Sequence, residues 1–270
     1  MSAAGAGAPQ RAALRFDALT LMPQMFAPFT ELGVARRAYA GGQMELQLWN
    51  PRDFADGNYR RVDERPFGGG PGMVMLAEPL ARCVEAAQAA RAKAGFSAAA
   101  PVVLFSPAGE PLNHAAVSQW AGGEGALLVC GRYEGMDQRF IDSYVTHCIS
   151  LGDFVLSGGE IAALALLDAV ARLLPGVLHT EDSHEADSFN PALDGLLDCP
   201  HYTRPEVWRG QRAPAVLLGG DHARIERWRR DERLLLTARE RPDLIAAARA
   251  AQRLSPRDEQ ALAQSPDSPV

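Results

Sequence analysis

Nowhere does the chain of 270 residues carry an uninterrupted apolar run of about 18 residues, so no membrane-spanning helix is expected. Cysteine is sparse: Cys83, Cys130, Cys148 and Cys199 are scattered, with no C-x-x-C pair among them. A chain this long needs no staples, so the four read as reduced thiols and not as zinc ligands. The opening MSAAGAGAPQRAAL has no apolar centre of the kind a signal peptide needs. Residues 1–13 therefore read as a disordered extension, and the protein as cytoplasmic. The lysine of a phosphate loop is also missing. SGGEIAAL and FGGGPGMVM are glycine-rich, but neither continues as G-x-x-x-x-G-K-[ST], and no G-x-G-x-x-G follows a strand. The helix after SGG opens on Glu160, an acid that suits the helix dipole but opposes a bound phosphate. Both features argue against a phosphate-loop nucleotide binder.

What is present is a large apolar fraction, 47%, enough to bury a sizeable core. LRFDALTL, MELQLWN, PVVLFSP, ALLVCG, YVTHCISLG and FVLSGG read as apolar strands or strand ends. AEPLARCVEAAQAARAKA and EIAALALLDAVARLL read as helices between or after them. Alternating strands and helices predict an α/β domain with a mostly parallel sheet, over residues 14–178. HTEDSHEADSFNPALDG then loses all periodicity, and residues 179–192 read as a flexible linker. Residues 193–255 read as a small helical domain, with Asp221 as an N-cap and Pro242 in the first turn of another helix. Residues 256–270 read as a polar, fraying tail.

The net charge of −6 excludes wholesale coating of nucleic acid, but charge is unevenly spread. Residues 201–241 hold ten Arg against six Asp or Glu, a local net of +4 that leaves −10 elsewhere. His201, Tyr202, Arg204, Trp208, Arg209 and Arg212 interleave cations with aromatics, which suits phosphate contact combined with base stacking. RIERWRRDER, by contrast, also fits a solvated helix laced with ion pairs. The stretch from Arg52 to Arg65 reads as flexible and able to add contacts.

Three strand ends share one character: FSPAG, CGRYEG and SLGDFVLSGGE each stop at small or turn-forming residues. Ligands of open α/β sheets sit beyond the carboxyl ends of strands. These loops can converge on a ligand that carries a positive charge or a polar adenosine and wants close backbone approach. Two further residues stay open at this point. Arg172 stands four residues after Asp168, which fits half of a helical ion pair. Asp187 lies among acids and histidines between Glu181 and Asp194, which fits a solvated linker. His179 and His184 match no tight metal-ligand spacing.

RPFGGGPGMVM, LLVCGRYEGMDQR, GDFVLSGGE with its helix to RLLPGVL, and DSFNPALDGLLDCPHYTRPEVWRG together resemble the bacterial tRNA (guanine-N1)-methyltransferases of the SPOUT superfamily. The resemblance runs from about Phe16 to about Ala250. It implies a deep trefoil knot at the end of the α/β domain, a homodimer with the active site at the subunit interface, and a tRNA partner. It also implies S-adenosyl-L-methionine as methyl donor for N1 of the guanine immediately 3′ of the anticodon. Carried over by position, the cofactor residues are Phe105, Ser106 and Pro107 on one loop and Gly131, Arg132, Tyr133 and Glu134 on the second. On the third they are Leu151, Gly152, Asp153, Phe154, Val155 and Leu156, with Gly158 and Gly159. Phe154 and Ala108 depart from the family pattern, which favours Tyr and a longer polar residue there. The resemblance assigns the general base to Asp187 and charge stabilisation at O6 to Arg172. Stimulation by Mg²⁺, held by oxygens and water, is implied too, but no metal ligand is named. The nearest rival reading is a knotted methyltransferase acting on ribose; a catalytically silent RNA-binding module is a second.

Overall fold

The computed structural model describes residues 14–178 and 185–264, so His179 and His184 lie outside the described residues. The chain divides into two compact units, Met1–His179 and Thr180–Val270.

In the first unit β1 (Leu14–Leu19) leads through two short helices, α1 (Ala27–Glu31) and α2 (Arg36–Ala40), to β2 (Met44–Trp49). A small antiparallel pair, β3 (Asp63–Glu64) and β4 (Val74–Met75), precedes α3 (Ala77–Lys93). Then come β5 (Val102–Pro111), α4 (His114–Ala121), β6 (Leu127–Val129), α5 (Gln138–Tyr144), β7 (His147–Ser150) and α6 (Glu160–Arg172). The main sheet has the order β2-β1-β6-β5-β7, and every pair in it is parallel. Leu14, Phe16 and Ala18 of β1 point to one face, where Leu166, Leu167 and Val170 of α6 cover them. Leu19, Leu127 and Val129 face the other way, onto Leu80, Val84 and Ala87 of α3 and Phe140 of α5. Burial on both faces explains the apolar runs Val102–Leu104 of β5 and Leu127–Val129 of β6.

One exception sits inside that sheet. Asp17 is fully buried on the α3 side, ion-paired to Arg91 at 3.0 Å and to Arg15 at 2.9 Å, and accepts from Trp49 Nε1 at 2.9 Å. Arg91 also donates to the carbonyls of Arg15 and Glu124 at 2.6 and 3.0 Å, tying α3 to the sheet through groups otherwise costly to bury. All four cysteines are free, and burial pushes the Cys83 thiol up to about 12, which leaves it unreactive.

Three expectations need correction. Phe154–Ser157 is not a strand end: Phe154 and Val155 are exposed, no strand pairs with them, and the segment is loop. The stretch from Arg52 to Arg65 is not merely flexible: Val62 is buried and accepts from the Leu76 N–H at 2.8 Å, beside the β3–β4 pair. The polar tail does not begin at residue 256. Ser255 caps α9 (Pro256–Ala263) through a reciprocal capping box with Asp258, a spacing present in the sequence as Ser-Pro-Arg-Asp.

In the second unit β8 (Val207–Trp208) and β9 (Gln211–Arg212) form a two-stranded ribbon. α7 (His222–Glu240) is capped by the Asp221 side chain, and Pro242 opens α8 (Pro242–Ala250), both as expected. Leu196, Leu234, Ile245, Ala248 and Leu262 make a core of their own, so α9 packs rather than frays. Asp258 anchors it: Arg230 and Arg227 each lie 3.1 Å from its carboxylate. Burial alone would raise the Asp258 pKa, but the hydrogen bonds from Arg230 and Ser255 outweigh it and hold it well below the usual range. A depressed folded pKa contributes stability that is complete above the unfolded value of about 3.9 and is lost as pH falls toward the folded value. Urea unfolding measured from pH 7 to pH 2 should show that acid-dependent loss in the wild type. Asp258→Asn should be less stable at neutral pH and flatter across the acid range.

Candidate active site

The loops after β5, β6 and β7 converge on a cavity of about 380 Å³ at the carboxyl edge of the sheet. Phe105, Ser106 and Pro107 form one side of it. They lie where β5 bulges away from β7, between Phe105 and Glu110, which both pair with Ile149. Gly131, Arg132, Tyr133 and Glu134 form the second side, and Tyr133 is held at a φ of +62°. A tyrosine in the left-handed region is strained, and such strain is commonly stored at ligand sites. Leu151, Gly152, Phe154, Val155, Leu156, Gly158 and Gly159 complete the wall. Asp153 is the exception among the expected cofactor residues: it is exposed and does not line the cavity. A larger cavity of about 660 Å³, between Trp120, His147 and Glu110, holds none of the expected residues.

Close backbone packing shapes the cavity. The Gly159 N–H donates to the Gly131 carbonyl at 3.0 Å. A Cβ at position 159 would lie 2.8 Å from Cys130 Cα, against backbone that has no freedom to yield. Next to it Glu160 is fully buried at the start of α6. Its Oε1 accepts from Thr20 Oγ1 at 2.8 Å and from Arg132 Nε at 3.2 Å. Its Oε2 lies 3.0 Å from Arg132 Nη2 without hydrogen-bond alignment. The acid that argued against a phosphate thus clamps the second loop to the third and both to the end of β1. Sequence signalled the acid but not Thr20, which stands 140 residues away.

These features suit a ligand with an adenosyl group. The wall presents backbone N–H and C=O groups beside apolar Leu104, Phe105 and Ile149, and Glu134 offers a carboxylate to a cationic group. A family model described as tRNA (Guanine-1)-methyltransferase TrmD matches residues 14–247. The chain belongs to this family. It is 66% identical over 256 residues to a tRNA (guanine-N(1)-)-methyltransferase of Polaromonas sp., spanning 95% of this chain and 98% of the relative. Proteins of the same name from Paracidovorax citrulli and Albidiferax ferrireducens are 65% and 66% identical over 250 residues, 93% of this chain and 98% and 99% of theirs.

The two remaining candidates belong to different units. Arg172 is the last residue of α6, half-buried in the first unit. Asp187 is half-buried in the second unit, in a turn whose carbonyl accepts from the Asn190 N–H at 3.2 Å. Among the described residues no group of three or more His, Cys, Asp or Glu is placed to hold a metal.

The arginines of the second unit sort by partner. Arg227, Arg230 and Arg233 are committed to Asp231, Asp258, Asp194 and Asp198, and Arg229 to Glu226. Arg212 pairs with Glu206, and His201 with Asp198 at 2.9 Å. Arg204 and Arg209 have no carboxylate partner among the described residues. Arg209 and Gly210, both at positive φ, form the two-residue turn of the β8–β9 ribbon, with the Arg209 guanidinium 4.9 Å from the exposed Trp208 ring. Tyr202 is also exposed, 6.1 Å from Trp228.

Gly159→Ala should lower unfolding free energy by about 1–3 kcal/mol through overpacking. Gly122→Ala, whose Cβ would meet its nearest atom at an ordinary 3.6 Å, should stay within about 0.5 kcal/mol. Paired urea titrations give both values.

Proposed function

We propose that the protein methylates N1 of the guanine immediately 3′ of the anticodon in tRNA, using S-adenosyl-L-methionine. The observation that carries the reading is the convergence of three loops on one backbone-lined cavity, in a chain whose family match spans those loops together with Arg172 and Asp187. The cofactor, when bound between those loops, supplies an electrophilic methyl group. The rest of the chemistry falls to the chain. Guanine N1 carries a proton and is a poor nucleophile, so a base must take that proton. Asp187 is that base, a contribution of about 10²–10⁴-fold. Negative charge then grows on O6, and the Arg172 guanidinium donates to it, a further gain of roughly 10²–10³-fold.

Arg204 and Arg209 meet phosphates, while Trp208 and Tyr202 offer rings to unpaired bases, with Arg212 and His201 beside them. Phe154, Val155 and Ile161, exposed at the mouth and at the start of α6, make an apolar patch that a second copy would cover in a homodimer. The loop before Gly159 passes beside Gly131 and α6 returns against α4, a course that fits the trefoil knot implied by the family. Among the described residues no helix is long and apolar enough to cross a membrane, and a tRNA substrate places the enzyme in the cytoplasm.

Nucleoside analysis of tRNA treated with the enzyme and labelled cofactor should find N1-methylguanine, and none when the target guanine is replaced. Label in ribose would favour the rival chemistry. Asp187→Asn should lower the single-turnover rate by about 10²–10⁴-fold with both ligands still bound, and Arg172→Ala by about 10²–10³-fold. A near-wild-type rate in either variant would remove that residue from the mechanism.

A further inference from the structure

Two large side chains of the first unit stand almost wholly in solvent. Phe67 is 99% exposed and Tyr59 is 89% exposed. They flank β3, with Phe67 on the arm that runs from β3 to β4. Neither ring has an aromatic or cationic partner among the described residues. After Phe67 come Gly68, Gly69 and Gly70, all at positive φ, a course other residues rarely follow. The glycines leave the ring no neighbouring side chain to fold against on that side.

The base of this arm is bonded to the second side of the cavity wall. The Glu134 N–H donates to the Met73 carbonyl at 3.0 Å, and the Met75 N–H to the Gly135 carbonyl at 2.9 Å. Gly72 lies so close to Glu134 that a Cβ would come within 2.3 Å of its side chain. Glu134, Gly135 and Met136 line the cavity, so whatever enters it from this side passes the arm.

Charge narrows the partner. Across residues 52–67 Arg52, Arg60, Arg61 and Arg65 are balanced by Asp53, Asp56, Asp63 and Glu64. Arg60 and Arg61 are paired with Asp53 and Glu64. The stretch is therefore neutral overall, and Arg65 is the one charged residue on the arm itself. The arm does not offer a protein a large apolar patch, since the exposed chain neighbours of the two rings are mostly polar residues, glycines and Pro71. Isolated ring faces on an arm with a single cation match isolated flat rings: unpaired nucleobases.

We propose that Phe67 and Tyr59 are a stacking platform for unpaired bases of the tRNA next to the target guanine. This rests on the function proposed above and adds a contact made by stacking rather than by charge. A base stacked on a protein ring typically contributes about tenfold or more to affinity and tolerates any base.

The test measures tRNA binding by fluorescence anisotropy and S-adenosyl-L-methionine binding by calorimetry. Phe67→Ala should weaken tRNA binding about tenfold and raise KM for tRNA similarly, with cofactor affinity unchanged. Phe67→Trp should restore tRNA binding, and Phe67→Leu should not. The dependence of log affinity on log salt should keep its slope in Phe67→Ala, whereas Arg209→Ala should flatten it by about 0.7. Equal tRNA affinity for the wild type and Phe67→Ala overturns the proposal, as does rescue by Phe67→Leu. A changed monomer–dimer balance with unchanged tRNA affinity would assign the ring to a contact between copies, and also overturns it. Failure of the wild type to transfer methyl groups would count against the parent reading alone, because the binding ratios decide the platform separately.

Discussion

Everything at the cavity depends on how closely the start of α6 approaches the end of β6. The Gly159 N–H reaches the Gly131 carbonyl at 3.0 Å only because residue 159 has no side chain, whose Cβ would lie 2.8 Å from Cys130 Cα. Once that contact exists, Glu160 is driven into the interior, where a lone carboxylate is costly. Thr20 and Arg132 supply its hydrogen bonds and so draw the end of β1 and the second loop to the same point. Two loops and two strand ends are thereby fixed by one glycine contact and one buried acid. The cavity is the space these loops cannot close, bounded on its last side by the bulge of β5 around Phe105.

The second unit solves a different problem with the same residue types. Its many arginines would repel one another, and Arg227, Arg230 and Arg233 of α7 are neutralised internally by Asp194, Asp198, Asp231 and Asp258. Those pairs help hold α7 and α9 around a core of five buried apolar residues, Leu196, Leu234, Ile245, Ala248 and Leu262. The local excess of +4 read from residues 201–241 is thus not a uniform basic face. It reduces to a few uncommitted cations, Arg209 foremost, standing beside exposed rings. In the tRNA contact proposed above, such a surface would rely on a small number of phosphate contacts and on stacking. The first unit's arm, with Arg65 as its one charge and Phe67 exposed, offers a ring of the same kind.

β6 and the start of β5 were legible because both faces are buried, which leaves continuous apolar runs with glycine or proline near their ends. α6 and α7 were legible by length and period, and α7 also by Asp221. Phe154–Val155 misled because two apolar residues in sequence look the same whether they pair in a sheet or project from a loop. The capping box at Ser255 was present but was outweighed by the polar composition around it. That composition belongs to one face of α9, while Leu262 packs on the other.

Local sequence determined where β1, β2 and β6 run, that α3, α6, α7 and α8 are helical, and which three loops carry small residues at the carboxyl edge. These follow from propensities and from turns that only particular residues make. Which loops meet, and what they enclose, was decided by the tertiary structure. Thr20 and Glu160 are 140 residues apart and have no pattern in common; burial of one carboxylate is what joins them. The same holds for the arginines: their number is written in the sequence, but which of them remain free for a partner depends on where each aspartate lands when α7, α8 and α9 pack.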